Sequence, residues 1–179
     1  TFGQLYKHIN LDDISIIFCV DQLNNYKIDD RIKVVYYDNS QIYTDRILTN
    51  IINLNYDYIL FLHEDWVITD NCSNEYILKQ VEFMNKNDIL HIRSYKNYGH
   101  SNTNPDIFHK DVNICNIPND SGNFISLQPG LWEKNIFIEL YSINSNKPNI
   151  LESKSNTIFK TKYKNQFYYE LPSLNAQDS

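Results

Sequence analysis

Two hydrophobic rhythms alternate along this chain. Short apolar runs at Ile14–Val20, Ile32–Tyr37, Tyr58–Leu62, Asp88–Arg93 and Phe124–Leu127 read as buried strands. Between them, apolar residues recur at the three- and four-residue spacing of one helix face. Residues 2–9 place Phe2, Leu5, Tyr6 and Ile9 together; Gln41–Asn53 does the same with Ile47, Leu48, Ile51, Ile52 and Leu54. Residues 75–86 pack through Ile77, Leu78, Val81 and Met84, and Glu133–Asn144 turns Ile136, Phe137, Leu140 and Tyr141 inward.

Breakers punctuate this pattern. Gln128-Pro129-Gly130 closes the Phe124–Leu127 strand, and Asn146-Lys147-Pro148-Asn149 stops the following helix. Tyr95–Asn123 is rich in Asn, His and Asp and reads as loops with at most a short strand. From Lys154 to Tyr169, lysines interleave with Phe159, Tyr163 and Phe167, which suits a solvated strand face or a flexible lid. Residues 171–179 form a tail. Strands that alternate with helices predict an α/β fold: one Rossmann-like domain, with a mostly parallel central sheet and helices on both faces. The chain opens on a helix, so the first strand of such a sheet is expected to be missing or to lie upstream.

Composition narrows the class. The chain has 179 residues, enough for one full-sized core, and no internal repeat or linker divides it. A net charge of -6 argues against nucleic acid as a partner, because a phosphate footprint needs a basic face. Cys19, Cys72 and Cys115 are too few and too far apart for a disulfide framework or a zinc ribbon, which fits a reducing, cytoplasmic setting. No apolar stretch reaches membrane-spanning length. The excess of Asn, Ile, Tyr and Lys suggests an AT-rich genome, that of a low-GC bacterium or a large DNA virus. The aromatic share of 14% suits sugar or nucleobase clefts as well as cores.

The chemistry concentrates at His63-Glu64-Asp65-Trp66, directly after the apolar run Tyr58–Leu62. Open α/β sheets bind ligands at the carboxyl ends of their strands. Two adjacent carboxylates there need a cation, and a divalent metal holding a phosphate supplies one. The alternative is a solvated acidic turn. With Gly3, Gly99, Gly122 and Gly130 as its only glycines, the chain has no Gly-rich phosphate loop. Its five histidines form no recognisable ligand set.

The stretch Tyr58–Trp66 resembles the strand and DxD-type metal motif of GT-A glycosyltransferases, in particular the inverting family 2-like group. Asp65 falls on the metal-binding Asp, and His63 stands where the family has its first Asp; Glu64 is placed to share that task. Phe18-Cys19-Val20-Asp21 looks like the family's second strand, whose terminal Asp contacts the nucleobase. Tyr43-Thr44-Asp45-Arg46 opens the helix before the metal strand and is similar to the place where such enzymes carry a basic residue facing the nucleotide. Ser126–Trp132 is similar to a segment of short bacterial and giant-virus glycosyltransferases that precedes a helix and a Glu-containing turn, here Ile150-Leu151-Glu152-Ser153.

The resemblance implies a GT-A-like domain over residues 1–170, with a nucleotide-sugar half at 1–94 and an acceptor half at 95–170. It implies a metal-dependent, inverting transfer of a sugar from a nucleotide-sugar, expected to be a UDP-sugar, to a hydroxyl of a glycan, glycoprotein or lipid-linked acceptor. Mn²⁺ or Mg²⁺ would sit on Asp65. Asp21, Arg46, His63, Glu64 and Trp132 would bind the nucleotide-sugar, and Glu152 would be the catalytic base. Two rivals stay open: a non-catalytic carbohydrate- or nucleotide-binding domain of the same fold, and a sugar nucleotidyltransferase. On a purely structural reading Asp21 caps a turn, Arg46 is a solvated helix residue, Trp132 belongs to the core and Glu152 to an exposed loop.

Overall fold

A computed structural model describes residues 14–23, 27–63, 73–94, 108–109 and 113–170. The expected helix at 2–9, the residues Glu64, Asp65 and Trp66, and the tail lie outside them. Strand β1 (Ile17–Val20) pairs in parallel with β2 (Lys33–Tyr36) as a separate two-stranded sheet. Helix α1 (Tyr43–Ile51) leads to β3 (Tyr58–Phe61), followed by α2 (Asn74–Asn87) and β4 (His91–Arg93). Then come β5 (Phe108–His109), β6 (Ile114–Asn116), β7 (Gly130–Glu133), α3 (Lys134–Tyr141), α4 (Pro148–Lys162) and β8 (Phe167–Glu170).

The α/β class is as expected, but the larger sheet is mixed rather than mostly parallel. Its order is β3-β7-β4-β8-β6-β5. Strand β7 runs antiparallel to both β3 and β4, while β4 and β8 are parallel. The strand expected at Phe124–Leu127 lies instead at Gly130–Glu133, and the reason is steric. A Cβ on Gly130 would stand 2.6 Å from His91 Cε1 and 2.8 Å from the Ile92 carbonyl oxygen, so only glycine lets the chain enter between β3 and β4 there. Pro129-Gly130 thus begins a strand where it was expected to end one.

Side chains separate onto the two faces by strand parity. One face carries Ile59, Phe61, Trp132, Phe167 and Tyr169 and packs on α1, α3 and α4 through Ile51, Phe137, Leu140, Leu151 and Phe159. The other carries Leu131, Ile92, Tyr168 and Ile114 and packs on Met84 and Val81 of α2. The inward residues expected for α3 are all buried. Ile52 and Leu78, expected inward, are 49% and 53% exposed.

The segment after Pro148 is a further correction. Up to Lys162 it is not a solvated strand face but a helix that starts with Pro148 in its first turn, where a missing N–H costs nothing. Leu151, Ser155 and Phe159 recur every fourth residue and are fully buried. Phe167, from the same stretch, is a fully buried strand residue.

Candidate active site

Strand β3 runs parallel to β4 and β8, so the carboxyl ends of all three reach the same edge of the sheet. Beyond β3 the chain reaches His63 and then Glu64 and Asp65. The His63 ring stands edge-on to Phe61, with centroids 4.8 Å apart, and its Nε2 lies 2.8 Å from the Leu127 carbonyl oxygen. A carbonyl oxygen only accepts, so His63 Nε2 carries the proton and donates.

Leu127 also donates its N–H to Glu152 Oε1 at 2.6 Å. One residue therefore ties the candidate metal strand to the candidate base. Two residues back, Asn156 accepts from the Ile125 N–H at 2.9 Å and donates to the Ile125 carbonyl oxygen at 3.2 Å. Side chains of α4 thus take the place of a neighbouring strand for the buried segment 125–127, which explains why an apolar run shaped like a strand is not one. Glu152 lies on the helix and not in the expected turn. Among the described residues no hydrogen bond engages its Oε2.

Around this point the surroundings are apolar and charged at once. Arg93, at the end of β4, is fully buried and donates to the carbonyl oxygens of Asn123 at 2.8 Å and Phe124 at 3.2 Å. Desolvation brings its pKa down to about 10, against the opposing pull of the Glu152 carboxylate. The Tyr141 hydroxyl, 3.3 Å from that of Tyr43, is pushed well up by burial, by Tyr43 and by Glu152.

Asp21 and Arg46 also come together. Asn39 donates through Nδ2 to Asp21 Oδ2 at 2.8 Å, and its carbonyl oxygen accepts from Arg46 Nη2 at 2.6 Å. Arg46 also reaches the Gln41 carbonyl oxygen at 2.8 Å and lies 5.6 Å over the Tyr37 ring. Asp21 is held below the usual carboxylate range by the Asn39 hydrogen bond, by its own turn's Gln22 N–H and by Arg46. The cluster sits where the parallel pair β1 and β2 ends, and it orders the turn that opens α1.

Trp132 does not belong to a ligand site. It is fully buried, stacked on His91 at 3.6 Å and packed on Phe137 and Phe167. A sugar platform needs an open ring face, and neither face of this ring is open. Among the described residues no group of three or more His, Cys, Asp or Glu side chains could hold a metal. Among the described residues no helix is long and apolar enough to cross a membrane.

Sequence reasoning missed Arg93, Asn39 and the Leu127 backbone. Arg93 had a usable signal: it closes an apolar strand, as His63 does. No protein-family model matches the chain, and neither a curated protein nor a solved structure shows significant similarity to it.

Proposed function

We propose that this chain is a metal-dependent glycosyltransferase that moves a sugar from a nucleotide-sugar, a UDP-sugar in the first instance, to an acceptor hydroxyl with inversion. The observation that carries this reading is the shared grip of His63 and Glu152 on Leu127. It brings the residue before Glu64-Asp65 and a carboxylate with an unengaged oxygen to one end of the sheet. Asp65, with Glu64, is the proposed donor set for Mn²⁺ or Mg²⁺, which supplies charge stabilisation to the leaving nucleotide. Asp21 and Arg46 position the nucleotide. Glu152, held through Oε1, takes the acceptor proton on Oε2.

Calorimetry with UDP and UDP-sugars tests the reading. Binding that needs Mn²⁺, and that Asp65→Ala removes without unfolding the protein, supports it. Equal affinity in EDTA and in Mn²⁺ removes Asp65 from its role. The products separate the rivals: a transferase releases nucleoside diphosphate, a nucleotidyltransferase pyrophosphate, and a binding domain neither.

A further inference from the structure

We propose that His63 is a positioning residue, which sets the Glu152 carboxylate through the backbone of Leu127. The inference rests on the reading of Glu152 as the base. The position after β3 faces a carbonyl oxygen, and a carbonyl oxygen needs a donor. His63 supplies one from Nε2. An ionised Asp has only acceptors, so at this position it would turn a carboxylate against the Leu127 carbonyl. Histidine is therefore suited to this backbone, whatever the ligand.

The geometry transmits the restraint. Leu127 binds His63 through its carbonyl and Glu152 through its N–H. Residues 125–127 hang from α4 at Asn156 and Glu152, and from β3 at His63. The Phe61 edge contact fixes the imidazole plane. Removing the His63 donor frees Leu127 on the β3 side and lets the Glu152 carboxylate rotate away from its held position. A base displaced by about 1 Å loses about 10²-fold in rate.

The test compares His63→Gln, which keeps an N–H donor, with His63→Asp and His63→Ala, on the full chain with Mn²⁺ and a panel of UDP-sugars. Nucleoside diphosphate release gives kcat and KM. NMR of ¹³C-labelled Glu152 gives its titration independently of turnover. His63→Asp and His63→Ala should lower kcat by about 10²-fold with donor KM unchanged, and should shift the Glu152 titration and the acid limb of the rate profile together. His63→Gln should restore most of both. An unchanged Glu152 titration in His63→Ala, or a donor KM that rises while kcat holds, overturns the positioning role and leaves Glu152 as base intact. A parent chain that releases no nucleoside diphosphate from any donor overturns the reading of the site and this inference with it.

Discussion

The buried guanidinium of Arg93 feels the Glu152 carboxylate, whose charge favours the ionised form against desolvation. Burial alone lowers the Arg93 pKa, and Glu152 pulls it the other way, so the guanidinium stays charged at neutral pH with a pKa of about 10. The two residues come from strand β4 and helix α4. Charged groups that share such a site couple energetically. A double-mutant cycle of Arg93→Met and Glu152→Gln, read by urea unfolding, should give a coupling of about 0.5–3 kcal/mol. Additive effects would show that Glu152 does not serve the buried cation.

His91 makes stability fall in acid. It is fully buried, it donates from Nδ1 to the Leu131 carbonyl oxygen at 3.0 Å, and burial and then Arg93 hold its pKa well below 6.5. Its folded pKa is depressed, so the unfolded chain binds the proton first as pH falls. The stability from neutral His91 is present above pH 6.5 and is lost progressively below it. Unfolding midpoints measured from about pH 8 down to about pH 5 should fall, and His91→Phe, which keeps a ring against Trp132, should flatten that slope.

Glu170 has the opposite sign. At the end of β8 its Oε1 accepts from the Tyr76 hydroxyl at 2.6 Å and from Gln80 Nε2, yet desolvation outweighs both and raises its pKa above 4.5. The stability it gives is complete when protonated, below pH 4.5, and is lost as pH rises through the raised value. Glu170→Gln keeps an acceptor oxygen for both partners and removes the buried charge. It should raise the Tm at pH 8 and leave it nearly unchanged near pH 4; a lower Tm at pH 8 would show that the ionised form is the better partner for Tyr76 and Gln80.

Gly130→Ala should destabilise by about 1–3 kcal/mol, as overpacking does in a filled core. Its Cβ would meet the buried His91 ring and also the Ile92 carbonyl oxygen, which belongs to the strand itself. Chemical denaturation reads the loss directly, and an unchanged midpoint would mean that β7 can shift between its neighbours.

What the sequence carried of this fold follows from how each signal arises. Helices α2 and α3 were legible because each buries residues at helical spacing, and β1 to β4 because each is a short apolar run. Strand direction was not legible. An apolar run is the same whether its neighbour is parallel or antiparallel, and the pairing of β3 with β7 depends on the space around Gly130. Helix α4 was hidden because one buried residue per turn, at Leu151, Ser155 and Phe159, is too sparse a stripe among its lysines. At the site, the position of Glu152 near the end of β3 could be anticipated from the order of the motifs. The use of its Oε1 by a backbone N–H could not, because that bond depends on Phe124–Leu127 not pairing as a strand.

Glu152→Gln tests the catalytic assignment most directly. A sugar hydroxyl is a poor nucleophile until its proton is taken, and a positioned carboxylate contributes about 10²–10⁴-fold. The amide side chain keeps an acceptor oxygen for the Leu127 N–H, so segment 125–127 stays in place. It removes the basic oxygen and the charge opposite Arg93 together, so the variant should also lose stability. Activity therefore has to be read well below the unfolding midpoint of the variant, with the folded fraction checked by circular dichroism. Under those conditions donor affinity in Mn²⁺ should match the parent, since the proposed donor-binding residues Asp21, Arg46 and Asp65 are untouched, while sugar transfer should fall by about 10²-fold or more. Arg93→Met separates the two losses: it removes the partner charge and leaves the carboxylate, so it should cost stability with transfer reduced far less than in Glu152→Gln. If Arg93→Met and Glu152→Gln reduce transfer equally, Glu152 acts by holding the site together and the base lies elsewhere.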